Sequence, residues 1–444
     1  MSIISAILSS RSGLLANSAK AEIVSGNIAN SQSENYSRRA LLTASAVGGG
    51  VNVMGINRAM DYTMDGLYRT ESAYAAKQTA IASALSVYSA QLGAIDSESS
   101  LPNLMSKFQN QLGLMSNDPG DSSLQQEVLL AAKALTASLR SANSALGQVS
   151  KTALKGVETD IEAANAAMTE IARINADIGK SVPGSATYAN LQDRRAAELD
   201  KLGQIIQIEV RYDGDGRANV HSAGGQPLVI AGLVNELSFD RSTGTLMSGT
   251  DDITPGSAGR RGADQGSLAG YIDLLNTTVP QQQLELDEIA RALIEGFEGS
   301  DASLTPGQAG LFTDNGSALS ATYASGLAGR IRVNAAADPG QGGDLTLIRD
   351  GLGAVTPGAT SDNTQVLAFL NFFSTSVAFD PQAGQGTGTT MMDFTNGIIA
   401  QQLDRAVIAA LDEAGQRHAP GPLAAQHPVG AIFQHRVQAV APIL

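Results

Sequence analysis

A few short features of this sequence carry side chains with chemical potential. Gly179-Lys180-Ser181 has the ending of a phosphate-binding loop, in which backbone amides and a lysine cradle phosphates. That loop needs a glycine five positions before its second one, and a buried strand ahead. Position 174 is Ile174 and no such strand precedes, so the triplet reads as a helix C-terminus running into a loop. Asp213 and Asp215, in Asp213-Gly214-Asp215-Gly216, have the alternation that opens a calcium loop. Arg217 stands where the next oxygen ligand belongs and no glutamate closes the set, so the reading is a hairpin turn. The histidines are His221, His418, His427 and His435. None are three or four apart, so a helical metal pair has no support, and His221 is placed on a strand facing solvent. Asp287-Glu288 and Asp412-Glu413 read as solvated helix faces. There is no cysteine, hence no thiol nucleophile and no Cys-based zinc site, and the many serines include no G-x-S-x-G elbow. The expectation is a protein that is not an enzyme and takes no cofactor or metal.

Composition agrees. The net charge is -14, which repels phosphate backbones and anionic lipid alike. Aromatics make up 4% and tryptophan is absent, so thin helical seams are expected rather than thick cores. No apolar run is long enough to span a membrane, and the N-terminus lacks the basic region and cleavage site of a Sec signal. The lack of cysteine also suits a chain that is exported unfolded.

What remains is the elements. Residues 3 to about 32 read as one helix, roughly 45 Å long at 1.5 Å per residue. Ile7, Leu14, Ala21 and Ile28 recur every seven positions, flanked by Ile3, Ile4, Leu15 and Val24 and interrupted by Arg11 and Ser18. That stripe is too narrow to hold the helix alone, so another helix or a copy of the chain must cover it. Leu41 to Ala59 reads as an extended loop or β-hairpin around Gly48-Gly49-Gly50. Helices follow from about Asp61 to Ile95, over Leu101 to Asn117, from Asp121 to about Val157, over Ile161 to Ile178, and over Asn190 to Ile206. The texture turns to alternating strands after about Ile205. Helix returns over about 266–297 with Pro280 kinking or splitting it. The fold class is mainly α with a smaller β-rich domain. The divisions are 1–60, a helix and extended loop; 61–200, a rod-like helical bundle; 201–265, β-rich; 266–415, a return to helix with a Gly/Asp-rich insertion; and 416–444, a Pro/His-rich tail without heptads.

Asn27-Ile28-Ala29-Asn30 followed by Tyr36-Ser37-Arg38 resembles the N-terminal motif of flagellar axial proteins. Within these it is most similar to the hook-associated family that joins hook to filament. That family follows N-I-A-N with G-Y-S-R-Q, where rod and hook proteins more often have Gly-Phe. Three further stretches agree: GVNVMGINR from Gly50, the helix end LMSNDPG and its successor, and IARINADIGK with LQDRRAAELDKLGQII and GGQPLV. Resemblance covers residues 1 to about 240 well and weakens towards 400. Asn35 replaces the family's glycine and Arg39 its glutamine. The family's S-G-V-N-x-D-E-E ending and long C-terminal helix are not found, so an early end or an altered last segment is expected.

The resemblance implies a structural subunit of the bacterial flagellum that self-assembles into a ring. It implies a long axial helix, a rod-like helical layer and an outward β domain. The interface residues it carries over are Ile7, Leu14, Ala21, Asn27, Ile28, Asn30, Tyr36, Ser37 and Arg38. Implied partners are copies of the chain, hook protein, the second hook-filament junction protein, and an export chaperone that would take the tail. Implied export is through the flagellar type III channel to the outside of the cell. Another axial protein (second junction protein, hook or flagellin-like subunit) and a cytosolic coiled-coil scaffold are the alternatives.

Overall fold

A computed structural model of the chain describes residues 3–33, 36–47, 49–93, 97–256, 262–320, 325–384 and 388–401. The tail at 416–444, with His418, His427 and His435, lies outside them, as do Asn35 and Asp412-Glu413. Helix α1 (Ile3–Ala29) opens the chain. Strands β1 (Arg39–Ser45) and β2 (Val51–Arg58) then form an antiparallel hairpin, with a bulge between Leu42 and Thr43. Helix α2 (Tyr62–Leu92) follows. Helix α3 (Leu101–Asn117) begins with Pro102 in its first turn, where a missing N–H leaves no gap in the ladder.

Asp118-Pro119-Gly120 ends α3. The Asp121 carboxylate then accepts the Ser123 N–H at 2.7 Å and starts α4 (Ser122–Ile178). Two helices are expected here, but α4 is a single helix of 57 residues. Only Glu158, Thr159 and Asp160 lie at the expected break, none of which stops a helix. Its buried row runs straight through, from Val149, Ala153 and Val157 to Ala164, Met168 and Ile171. Ser185 caps α5 (Ala186–Ile205), accepting the Tyr188 N–H at 3.1 Å.

Strands β3 (Ile208–Tyr212), β4 (Ala218–Ser222), β5 (Pro227–Ile230) and β6 (Leu233–Val234) make one antiparallel sheet in chain order. Strands β7 (Leu237–Asp240), β8 (Thr245–Ser248) and β9 (Asp251–Asp252) make another. Then come α6 (Ser267–Asp273), a widened π turn at 274–278, and α7 (Val279–Ser300). Pro280 has no N–H to donate, and the ladder slips by one residue ahead of it. The Val279 N–H reaches back to the Leu274 carbonyl, five residues away. The pair β10 (Phe312–Asp314) and β11 (Ile331–Val333), short α8 (Leu347–Asp350) and α9 (Thr364–Ser374) follow, and 391–401 is helical. The fold is thus mainly α with smaller antiparallel sheets. No helix among the described residues is long and apolar enough to cross a membrane.

The chain divides into two compact units. The first takes residues up to Thr79 and Val157–Gly270; the second takes Ala80–Gly156 and the described residues from Tyr271 to 401. In the first, Ile174, Ile178 and Leu191 pack with Tyr188. The second holds a thick aromatic core, contrary to the thin seams expected from composition. Phe297 meets Phe369 at 4.8 Å and Phe312 at 4.9 Å between ring centres, and Phe379 stacks on Phe394 at 3.8 Å. Asp287 and Glu288, read as a solvated face, are buried in this unit. Asp287 accepts the N–H groups of Gly326 and Ala328, and burial pushes its carboxyl up. Glu288 pairs with Arg291 at 2.6 Å. Their helix carries loops on that side, a tertiary fact that neighbouring residues do not encode.

Candidate functional site: the amino-terminal helix and its hairpin

Helix α1 has two faces of different chemistry. Ser5, Ser9, Ser12, Ala16, Ala19, Ile23, Gly26 and Asn30 recur at helical spacing and are shielded to varying degrees, with Ala16 buried. This is the side that carries the hairpin. Small side chains let the strand backbone come close: a Cβ on Gly50 would stand 2.5 Å from Ser12 Oγ. Ser12 Oγ accepts the Val51 N–H at 3.0 Å and donates to the Ser9 carbonyl at 2.8 Å.

The other face is large, apolar and bare. Ile7 is 61% exposed, Leu14 72% and Ile28 70%; Ile3, Ile4, Leu8, Leu15 and Val24 are exposed too. Ala21 is exposed beside them and lines a shallow trough with Asn17, Lys20, Val24, Ser25 and Ile28. Arg11 and Ser18, both exposed, interrupt this apolar surface.

The motif that ends α1 is an intramolecular joint. Asn27 Nδ2 donates to the Arg39 carbonyl at 2.9 Å, and Asn27 Oδ1 accepts the Arg39 N–H at 3.0 Å. The carboxamide thereby pairs with the first residue of β1 as a strand would. Tyr36 Oη donates to the same Oδ1 at 2.9 Å. Asn30 Nδ2 donates to the Gly26 carbonyl at 2.9 Å, which also accepts the Asn30 N–H at 3.0 Å, so one residue closes the last turn twice. Ser37 Oγ accepts from Arg58 Nη2 at 3.1 Å. Arg38 is exposed and, among the described residues, pairs with no carboxylate. Replacing Asn27 with Ala orphans the Arg39 amide and is expected to loosen the joint by about 1–2 kcal/mol. Faster hydrogen exchange at Arg39, with the α4 amides unchanged, checks it; an unaltered Arg39 rate would show the joint to be idle.

Sequence reading missed Arg39, Arg58, Asn190 and Asp193. Asp193 on α5 accepts from Arg39 at 2.5 Å and from Arg58 at 2.7 Å, and Asn190 Oδ1 accepts from Arg39 at 2.8 Å. The Arg39 guanidinium also lies 4.9 Å from the Tyr36 ring centre. At Gly55 (φ +143) the hairpin meets Gly184 (φ +81), where a Cβ on Gly55 would sit 3.0 Å from the other glycine's Cα. The Ile56 N–H donates to the Gly184 carbonyl at 2.7 Å. Helix α5 is held to α2 in turn by Arg69, which pairs with Asp65 at 2.5 Å and Asp200 at 2.8 Å. Burial pushes the Asp200 carboxyl up, against the pull of Arg69.

The Asn27 joint has two counterparts in the same unit. Asn165 on α4 exchanges both bonds with the backbone of Leu237, the first residue of β7, at 2.9 and 2.8 Å. Asn175 does the same with Ala218, the first residue of β4, at 2.8 and 3.0 Å. Of the other singled-out residues, Gly179-Lys180-Ser181 forms the turn after α4, with Ser181 Oγ donating to the Asp177 carbonyl. Asp213 Oδ1 accepts the N–H groups of Asp215 and Arg217 inside the β3–β4 turn. His221 is half-buried on β4 rather than solvent-facing, because its strand is flanked on both sides.

Residues 91–303 match the model of the flagellar hook-associated protein FlgK helical domain. Flagellar hook-associated protein 1 of Bacillus subtilis is 23% identical over 437 residues, covering 88% of this chain and 83% of that protein. The Escherichia coli protein of that name is 25% identical over 309 residues, covering 66% of this chain. The alignment spans 56% of the Escherichia coli relative's own length. A solved structure, the flagellar hook junction protein FlgK from Burkholderia pseudomallei, is similar over 56% of this chain and 46% of that one, with 19% identity and a TM-score of 0.43. Just under half of the chain, residues 91–303, is thus similar to the FlgK helical domain, and most of its length is similar to flagellar hook-associated protein 1 of Bacillus subtilis.

Proposed function

We propose that the chain is a structural subunit of the bacterial flagellum, placed between hook and filament, where copies assemble into a ring. One observation carries this reading: a helix of 27 residues keeps one small-residue face against its own hairpin, and among the described residues nothing covers its large apolar side chains. Covering a few hundred Å² of that face at about 25 cal/mol per Å² contributes several kcal/mol per neighbour. Several neighbours in a closed ring add such modest contacts into a stable assembly.

In this reading Ile7, Leu14, Ala21 and Ile28 meet sister helices. Asn27, Asn30, Tyr36 and Ser37 hold the helix at the angle the ring needs, and exposed Arg38 meets an acidic neighbour. Hook protein contacts one side of the ring and the second junction protein the other. The chain travels unfolded through the flagellar type III channel, escorted by an export chaperone, and functions outside the cell. The test is fractionation with reconstitution. The tagged full chain is expected to copurify with hook-basal bodies, and the purified chain to add to isolated hooks. A chain that stays in the cytosolic fraction and ignores hooks overturns the reading.

A further inference from the structure

We propose that Asp193 is a latch that closes the root of the β1–β2 hairpin and mounts it, with the end of α1, on α5. The argument starts from register. Arg39 and Arg58 are directly opposed in the antiparallel pair, on the rung where the hairpin leaves the rest of the unit. Two like charges directly opposed on a two-stranded ribbon push that rung apart. Among the described residues neither strand has a further neighbour, since β1 and β2 form a two-stranded sheet, so no other strand there holds the rung closed. Asp193 supplies what the ribbon lacks. Its Oδ2 binds Arg39 and its Oδ1 binds Arg58, and all three side chains are 14% exposed or less. Shielded charge-assisted bonds of this kind are among the stronger polar contacts and resist screening.

The latch reaches beyond the hairpin. Arg39 is also the residue whose backbone Asn27 grips, so α5, β1 and the C-terminal end of α1 meet at one residue. Releasing Asp193 therefore loosens the hairpin root and the anchor of α1 together, leaving Arg39 only its single bond to Asn190 on α5. Other contacts reach the hairpin one strand at a time: Asn190 holds Arg39, Ser37 holds Arg58, and Gly184 meets Gly55 inside β2, while the Ala59 N–H donates to the Arg38 carbonyl just outside the rung; Asp193 is what binds both arginines. The latch is a property of the single chain and stands whatever covers the apolar face of α1.

Hydrogen exchange on the full-length chain tests it. Asp193→Asn keeps the shape and removes the charge. It is expected to speed exchange of amides 39–45 and 51–58 by about tenfold while residues 165–178 of α4 keep their protection. Adding Arg58→Gln to that variant removes the like-charge opposition and is expected to restore most of the lost protection, a coupling that a role in mere packing would not produce. Unchanged exchange in Asp193→Asn, equal loss in α4, or a double variant as loose as the single one overturns the latch.

Discussion

Phe297→Ala is expected to lower the stability of the second unit by about 3–5 kcal/mol, a loss large enough to unfold a marginal domain. Phe297 is fully buried and sits at the hub of the aromatic cluster. Besides Phe369 and Phe312, its ring lies 5.6 Å from Phe108, 5.7 Å from Phe372 and 6.1 Å from Phe373. Removing the ring leaves a cavity and deprives five other rings of an edge or face partner. Collapse is blocked on one side, because Gly296 already brings the backbone close to Phe372: a Cβ there would meet Phe372 Cε2 at 2.1 Å. Urea denaturation followed by probes in α3 and α9 measures the loss. A shift below about 1 kcal/mol would mean that the site refills and the cluster is not the keystone of this unit.

Ile7→Ser, Leu14→Ser and Ile28→Ser together are expected to leave the isolated chain as stable as the parent and to abolish its assembly. The first half follows from exposure: all three side chains are more than half exposed, and surface substitutions without partners shift stability by about 0.5 kcal/mol or less. The second half follows from the proposed ring. Fully covering three such side chains contributes about 1.5–3 kcal/mol each, so their loss weakens association by about a thousandfold or more. Thermal melting of the monomer and a motility assay on the same variant separate the two halves. Normal swimming would refute the ring face; a large drop in melting temperature would show that these residues serve the single chain instead.

Much of this was legible in the sequence, for reasons of period and punctuation. The seven-residue recurrence in α1 marks side chains that stand exposed among the described residues. Gly49-Gly50 and the Asp-Gly repeats mark turns, and Pro280 marks a disturbed ladder. Breaks were less legible: Glu158-Thr159-Asp160 is polar but permits helix, and α4 runs through it. The aromatic core was hidden by averaging. Phenylalanine is rare over the chain, yet Phe108, Phe297, Phe312, Phe369, Phe372, Phe373, Phe379 and Phe394 gather in one cluster from distant positions. The joint at Asn27 was half legible. Its amides were readable as helix-ending groups, but that one would pair with Arg39, and that Arg39 would then turn to Asp193, depends on contacts far apart in sequence.

The three asparagine joints have a consequence for the order in which the chain folds. Their partners are 12, 43 and 72 residues away. Local helical turns form well before contacts that must close such loops. α4 would thus stand as a template when β4 and β7 arrive, and each carboxamide would act as a registration mark for the strand's first residue. A strand slipped by one position would present its side chains to the wrong face and miss the mark, so the amides select the alignment as well as strengthen it. Sheets assembled this way inherit their register from a helix rather than from their own turns.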